Sequence, residues 1–174
     1  MLYLNEIKKN FKGSIGLNLI KRGSTSVIYE HPVHNSMVQV YTLDKAKVKW
    51  FEEYKSRFGF RFIESKAKGS AYDEFPQEIH SFVLKKMFPL DEESKKYIKE
   101  NVLTIFNEQK GKLNANIICL MLAQQSKDKK LKDLFFRLRT FVENNTVQFD
   151  LRLDSFMQMQ DGSIVCTDPF YSTR

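Results

Sequence analysis

The spacing of apolar residues divides the chain into a β-rich front, a helical middle and a β-rich tail. Over residues 15–40, short runs of β-branched and aromatic residues alternate with turn formers. The run 16–20 is followed by Lys21-Arg22-Gly23-Ser24, then 25–32, and after Asn35 the run 36–43. Two such runs around a polar turn holding Pro32 and Asn35 predict an antiparallel pair. Residues 44–58 carry Val48, Phe51 and Tyr54 at helical spacing among Lys and Glu, which predicts a single helix lying against the sheet. Residues 60–63 and 81–84 are aromatic or β-branched enough to be strands, and they flank a loop with Gly69, Ser70 and Asp73. An N-terminal sheet of about five strands with one helix is therefore expected.

After Pro89 the pattern changes. Residues 91–107 combine an acidic first turn with Tyr97, Ile98, Val102, Ile105 and Phe106, as an amphipathic helix does. The nearly unbroken apolar middle of 113–125 predicts a buried helix. Residues 128–144 place Leu131, Leu134, Phe135, Leu138, Phe141 and Val142 at three- and four-residue intervals, ending at Asn144-Asn145. The tail returns to β, with 147–149, a polar stretch 150–154, and two alternating segments, 156–160 and 163–167, separated by Asp161-Gly162. That dipeptide in that setting predicts a hairpin.

Composition narrows the class. With 174 residues, 42% hydrophobic, 13% aromatic, and only 7 Gly and 4 Pro, the chain has the apolar content for one domain with a core, which argues against disorder. Lys and Arg number 28 against 21 acids, giving +7, which favours encounter with nucleic acid, nucleotide phosphates or an acidic protein face. Because the lysines are scattered and interleaved with acids, a solvated basic surface is the preferred reading, and nucleic acid is not the favoured partner. Cys119 and Cys166 lie in apolar stretches without metal-ligand spacing, so two buried reduced thiols in a cytoplasmic setting are expected. No apolar run approaches the length of about 18 residues that a membrane span needs, and no basic segment leads into one, so neither span nor signal peptide is expected. His31, His34 and His80 are too dispersed for a metal site and read as loop or surface residues. The aromatic and basic run 47–61, with Trp50, reads as the packing face of the first helix.

The candidate chemistry sits in the tail. A hairpin preceded by Asp150 and followed by Asp168 puts two carboxylates at the open ends of one tight unit, from which they can converge. Phosphoryl transfer asks for such a pair: one carboxylate orients the attacking hydroxyl, the other holds the magnesium that bridges the phosphates. The residues Phe149-Asp150-Leu151-Arg152-Leu153-Asp154-Ser155, then Asp161-Gly162-Ser163, then Thr167-Asp168-Pro169, resemble the catalytic loop, hairpin and metal-binding Asp of kinase-like phosphotransferases. The closest pattern is that of the early serine/threonine kinases of T-odd podovirus bacteriophages, Phe-Asp-x-His-x-x-Asn, a hairpin, then Thr-Asp-Pro. Upstream, Gly23-Ser24-Thr25-Ser26-Val27-Ile28-Tyr29-Glu30-His31-Pro32 and the strand 35–40 resemble that family's phosphate-covering loop and the strand after it.

This resemblance covers roughly residues 15–174, with 60–145 matching in pattern rather than in motif. It implies a small two-lobed α+β fold in one domain over 1–174, with an N-lobe at about 15–88 and a minimal, mainly helical C-lobe at 89–174. It also implies that Asp150 is the catalytic Asp and Asp168 the magnesium-binding Asp, with Gly23 and Ser24 on the phosphates. Two expected groups are changed. Gln39 stands where the family carries the Lys that grips the phosphates, and Ser155 stands where it carries the metal-binding Asn. Arg152 replaces a His, putting a fixed charge beside the transfer site that can pair with Asp154 or Asp150 or reach a phosphate. Lys12, Lys21, Lys45 or Lys47 could stand in for the missing Lys, with Glu52 or Glu53 to orient it.

Losing such an electrostatic clamp costs orders of magnitude in rate. The implied function is a pseudokinase that occupies a host protein, of the transcription or defence machinery in the family's manner. The alternative is an active, atypical serine/threonine kinase that would need ATP and magnesium, cofactors a silent chain can do without.

Overall fold

A computed structural model describes residues 4–11, 16–22, 25–67 and 78–171. The chain is α+β and divides into two compact units, Met1–Lys86 and Met87–Arg174.

The first unit is built on a five-stranded antiparallel sheet. Its elements are α1 (Leu4–Asn10), β1 (Leu19–Arg22), β2 (Ser26–Glu30), β3 (Met37–Thr42), α2 (Lys45–Glu53), α3 (Lys55–Phe58), β4 (Arg61–Ala67) and β5 (Glu78–Lys85), and the strand order is β1-β2-β3-β5-β4. The expected pairing of the two runs around Pro32 is the β2–β3 ladder, in which Ile28 faces Val40 and Tyr29 faces Gln39. Strand alternation then sorts the side chains. Val27, Tyr29, Tyr41 and Ile79 form one core with Ile7 and Phe11 from the N-terminal segment, Phe11 lying 5.0 Å from Tyr41 between ring centroids. Val38, Val40, Phe82 and Leu84 point the other way, where Phe51 of α2 meets Phe82 at 5.6 Å.

The sequence reads 44–58 as one helix, but the structure breaks it. Asp44 caps α2 by accepting from the Ala46 and Lys47 N–H groups at 3.0 and 3.1 Å. Tyr54, with φ −107° and ψ 33°, interrupts the helix, and the short turn α3 ends at Gly59, whose φ of 61° is a left-handed cap. Trp50, Tyr54 and Phe58 all turn inward across the break, with ring centroids 5.6–6.1 Å apart. Helix α1 was not expected; among its described side chains Ile7 is the buried one.

His80 also departs from the surface reading. It lies in β5 with its side chain 12% exposed, its Nε2 without a hydrogen-bond partner among the described residues and 3.9 Å from Glu78 Oε2. Burial lowers its pKa, Glu78 opposes that, and Lys45 adds to it.

The second unit begins with α4 (Glu92–Ile98), which runs through a π-helical stretch, Lys99–Leu103, into α5 (Thr104–Gln109). Helices α6 (Ala115–Gln125) and α7 (Lys129–Asn144) form an antiparallel pair, and Asp128 caps α7 by accepting from the Leu131 N–H at 2.7 Å. The tail supplies β6 (Gln148–Phe149), a 3-10 turn (Leu153–Ser155), β7 (Phe156–Gln158), β8 (Ile164–Cys166) and β9 (Phe170–Tyr171). The β7–β8 hairpin expected from Asp161-Gly162 is present. Its turn is longer than the two-residue type, since the Met159 carbonyl accepts from Gly162 N–H while Met159 N–H donates to Ser163, and Gly162 takes φ 78°. Both cysteines are buried and unbridged.

Two measurements check these assignments. A Cβ on Gly59 would be strained by its φ and would meet the flexible Lys85 side chain at 2.8 Å. Gly59→Ala therefore lowers unfolding free energy by about 1 kcal/mol, read in urea by the fluorescence of Trp50, the chain's single tryptophan. For His80, a lowered folded-state pKa means the unfolded chain binds the proton first, so stability is full above the unfolded value and falls as pH drops below about 6.5. His80→Gln flattens that part of the melting-temperature profile between pH 7.5 and 5.

Candidate functional site

The tail of the second unit assembles Asp150, Arg152, Ser155 and Asp168 around two backbone links. Strands β6 and β9 pair antiparallel, Phe149 facing Phe170, and the ladder is extended by Asp150 N–H donating to the Pro169 carbonyl at 3.0 Å. On the other side of Asp168, Thr167 N–H donates to the Ser155 carbonyl at 2.7 Å. Asp168 is thus held between two residues that are each bonded to the loop carrying Asp150. A two-residue ladder is too short to stand alone. Phe149 packs edge-on against Phe106 of α5 at 5.5 Å, and Phe170 stacks on Phe141 of α7 at 4.7 Å, which anchors both strands.

The Asp150 carboxylate faces two cations, one of them in direct contact. Lys110 Nζ, just past α5, lies 2.5 Å from its Oδ1, and Arg152 Nε lies 3.8 Å from its Oδ2 and 3.6 Å from Asp154 Oδ1. Of the pairings open to Arg152 in the sequence, the structure shows both carboxylates. Lys110 was missed by sequence reasoning, since it is 40 residues away in the chain and belongs to no motif.

Ser155 is completely buried, and its Oγ accepts from the Arg152 N–H at 3.3 Å while its own N–H donates to the Arg152 carbonyl at 3.0 Å. Its hydroxyl is a turn-closing group. Asp168 is half-buried, next to the fully buried Cys166, whose thiol pKa burial raises well above the ordinary value. Magnesium takes several oxygens at near-octahedral geometry. Asp150 is engaged by two cations, Ser155 faces inward, and among the described residues no cluster of three His, Cys, Asp or Glu side chains could hold a metal. Asp168 alone would hold magnesium only together with substrate phosphates and water.

Gln39 belongs to the first unit. It shares the sheet face of Tyr29 and Tyr41, and its Nε2 donates to Tyr41 Oη at 2.7 Å and to Ser81 Oγ at 3.5 Å. Burial pushes the Tyr41 hydroxyl up to about 12, so it remains a neutral partner for the amide. Gly23 and Ser24 lie outside the described residues, as does Lys12. Lys21 is exposed on β1, Lys45 pairs with Glu78 at 3.3 Å, and Lys47 Nζ lies 3.5 Å from Ser26 Oγ. Glu52 and Glu53 are exposed.

No protein-family model matches the chain, and no curated protein matches its sequence. Among the described residues, no helix is long and apolar enough to cross a membrane.

The Lys110–Asp150 pair, with side chains 51% and 22% exposed, predicts a modest coupling. In a cycle of Lys110→Met and Asp150→Asn followed by urea unfolding, the interaction energy is about 1 kcal/mol and shrinks in high salt.

Proposed function

We propose that this chain is a phage-type, kinase-like protein whose transfer machinery is silent, and that it acts in the host cytoplasm by binding a host protein, of the transcription or defence machinery by the family resemblance. The order of its parts supports the reading. A five-stranded antiparallel sheet with α2 between β3 and β4 is followed by a helical stretch and then by a carboxylate loop, a hairpin and a second carboxylate. Fold order alone does not define an activity. The observation that carries the silent reading is the direct ion pair of Lys110 on Asp150 Oδ1 at 2.5 Å, with Arg152 3.8 Å from Oδ2, which ties up one oxygen of the group that would have to orient a hydroxyl.

Strand β3 adds to it. Val38 and Val40 are on the face toward α2, and Gln39 and Tyr41 are on the other, so neither face of this strand offers an ammonium. A shift of one residue in the family correspondence would not supply one. With the phosphate clamp and the metal ligand set both altered, transfer would lose several kcal/mol of transition-state stabilisation.

The test is incubation of purified protein with labelled ATP, magnesium and a generic acceptor protein, beside Asp150→Asn and Asp168→Ala. The silent reading expects no label above the variants, and no rise in melting temperature with millimolar ATP and magnesium. Label that is incorporated by the wild type and lost in both variants would establish the active atypical kinase instead.

A further inference from the structure

We propose that the solvent face of α7 is a docking surface for an acidic amphipathic helix of a partner protein. Helix α7 buries Leu131, Leu134, Phe135, Leu138 and Phe141. On the opposite side Lys129, Lys132 and Phe136 follow one another at spacings of three and four, which puts them on one stripe. Phe136 is 40% exposed and has no ring partner among the described residues. A partly exposed phenylalanine between charged residues of the solvent face can serve as an apolar anchor, and such anchors recur at the centres of interfaces.

The charge beside it is net basic. Lys127, Lys129 and Lys132 are exposed and make no ion pair among the described residues, while the neighbouring Asp128 is committed to the cap and Lys130 pairs with Asp161 at 2.8 Å. Three uncompensated lysines in and before the first turn repel one another and oppose the positive end of the helix dipole. An acidic partner relieves both.

The rest of the face selects a protein over nucleic acid. Past Lys132 come Asp133, paired with Arg137 at 3.0 Å, and Glu143, paired with Arg139 at 3.0 Å. A phosphate backbone following the helix would run from the lysines onto carboxylates, whereas a short helix needs only an apolar residue over Phe136 and acids over Lys129 and Lys132. This surface specifies the partner's chemistry for the protein-binding reading and rests on that reading. A chain that transferred phosphate could still carry it, so the ATP experiment and the docking experiment fail separately.

The probes are a fluorescent helical peptide with a Leu seam and a Glu rim, its Lys-rimmed counterpart, and a labelled oligothymidine, each titrated into the full chain by anisotropy. The Glu-rimmed peptide binds at least about tenfold tighter than the Lys-rimmed one, and Phe136→Ala weakens it by about tenfold. Lys129→Glu with Lys132→Glu inverts the preference, while Lys21→Glu with Lys49→Glu, in the first unit, leaves it unchanged. All variants melt as the wild type does, and Phe136→Gln replaces the alanine variant if that one does not. Equal binding of the two peptides, no binding of the acidic one, a preference indifferent to the α7 charge reversal, or displacement of the peptide by oligothymidine overturns the proposal.

Discussion

The antiparallel clasp between Gln148-Phe149 and Phe170-Tyr171 is the constraint on which the tail of this protein depends. Everything between the two strands, from the carboxylate loop through the β7–β8 hairpin to Asp168, is one excursion whose ends must meet. Closing it costs chain entropy that so short a ladder cannot repay. The compensation comes from outside the ladder, through Phe149 on Phe106 and Phe170 on Phe141. The position of Asp150 relative to Pro169 is therefore set by aromatic packing against α5 and α7. The chemistry of the loop can change without disturbing it.

That separation accounts for the mixed character of the loop. Asp150 is only 22% exposed, and a carboxylate so placed is costly unless paired. Lys110 and Arg152 supply the pairing, so the three side chains form a set in which each is held for the sake of the others. Ser155 illustrates the opposite outcome. There a small hydroxyl closes the 3-10 turn on Arg152, its Oγ accepting from the Arg152 N–H within a fully buried site.

Much of the architecture was legible because it rests on local pattern. The β2–β3 pair, the stripe of α7 and its Asp128 cap, and the hairpin around Gly162 each carry their signal within a few residues. What was not legible depends on partners far along the chain. Helix α1 is placed by the sheet it covers and the burial of His80 by its position between β3 and β4, while the break at Tyr54 falls within a spacing that a continuous helix would also satisfy. In the candidate site, Asp150 and Asp168 were visible as a pair flanking a hairpin, whereas Lys110 was invisible. An ion pair across 40 residues leaves no periodicity in the sequence.

The two faces of β3 bring the argument about function to its sharpest point. A strand gives every side chain one of two directions, so a lysine meant for a phosphate must stand at a position of the right parity. Val38 and Val40 fill one parity with hydrocarbon packed beside Phe82, and Gln39 and Tyr41 fill the other with an amide and a phenol bonded to each other. Both are stable solutions to the same problem, a strand packed on two faces. A charged group at either parity would have to disrupt this packing, whereas the solvent face of a helix such as α7 takes a substitution without that cost.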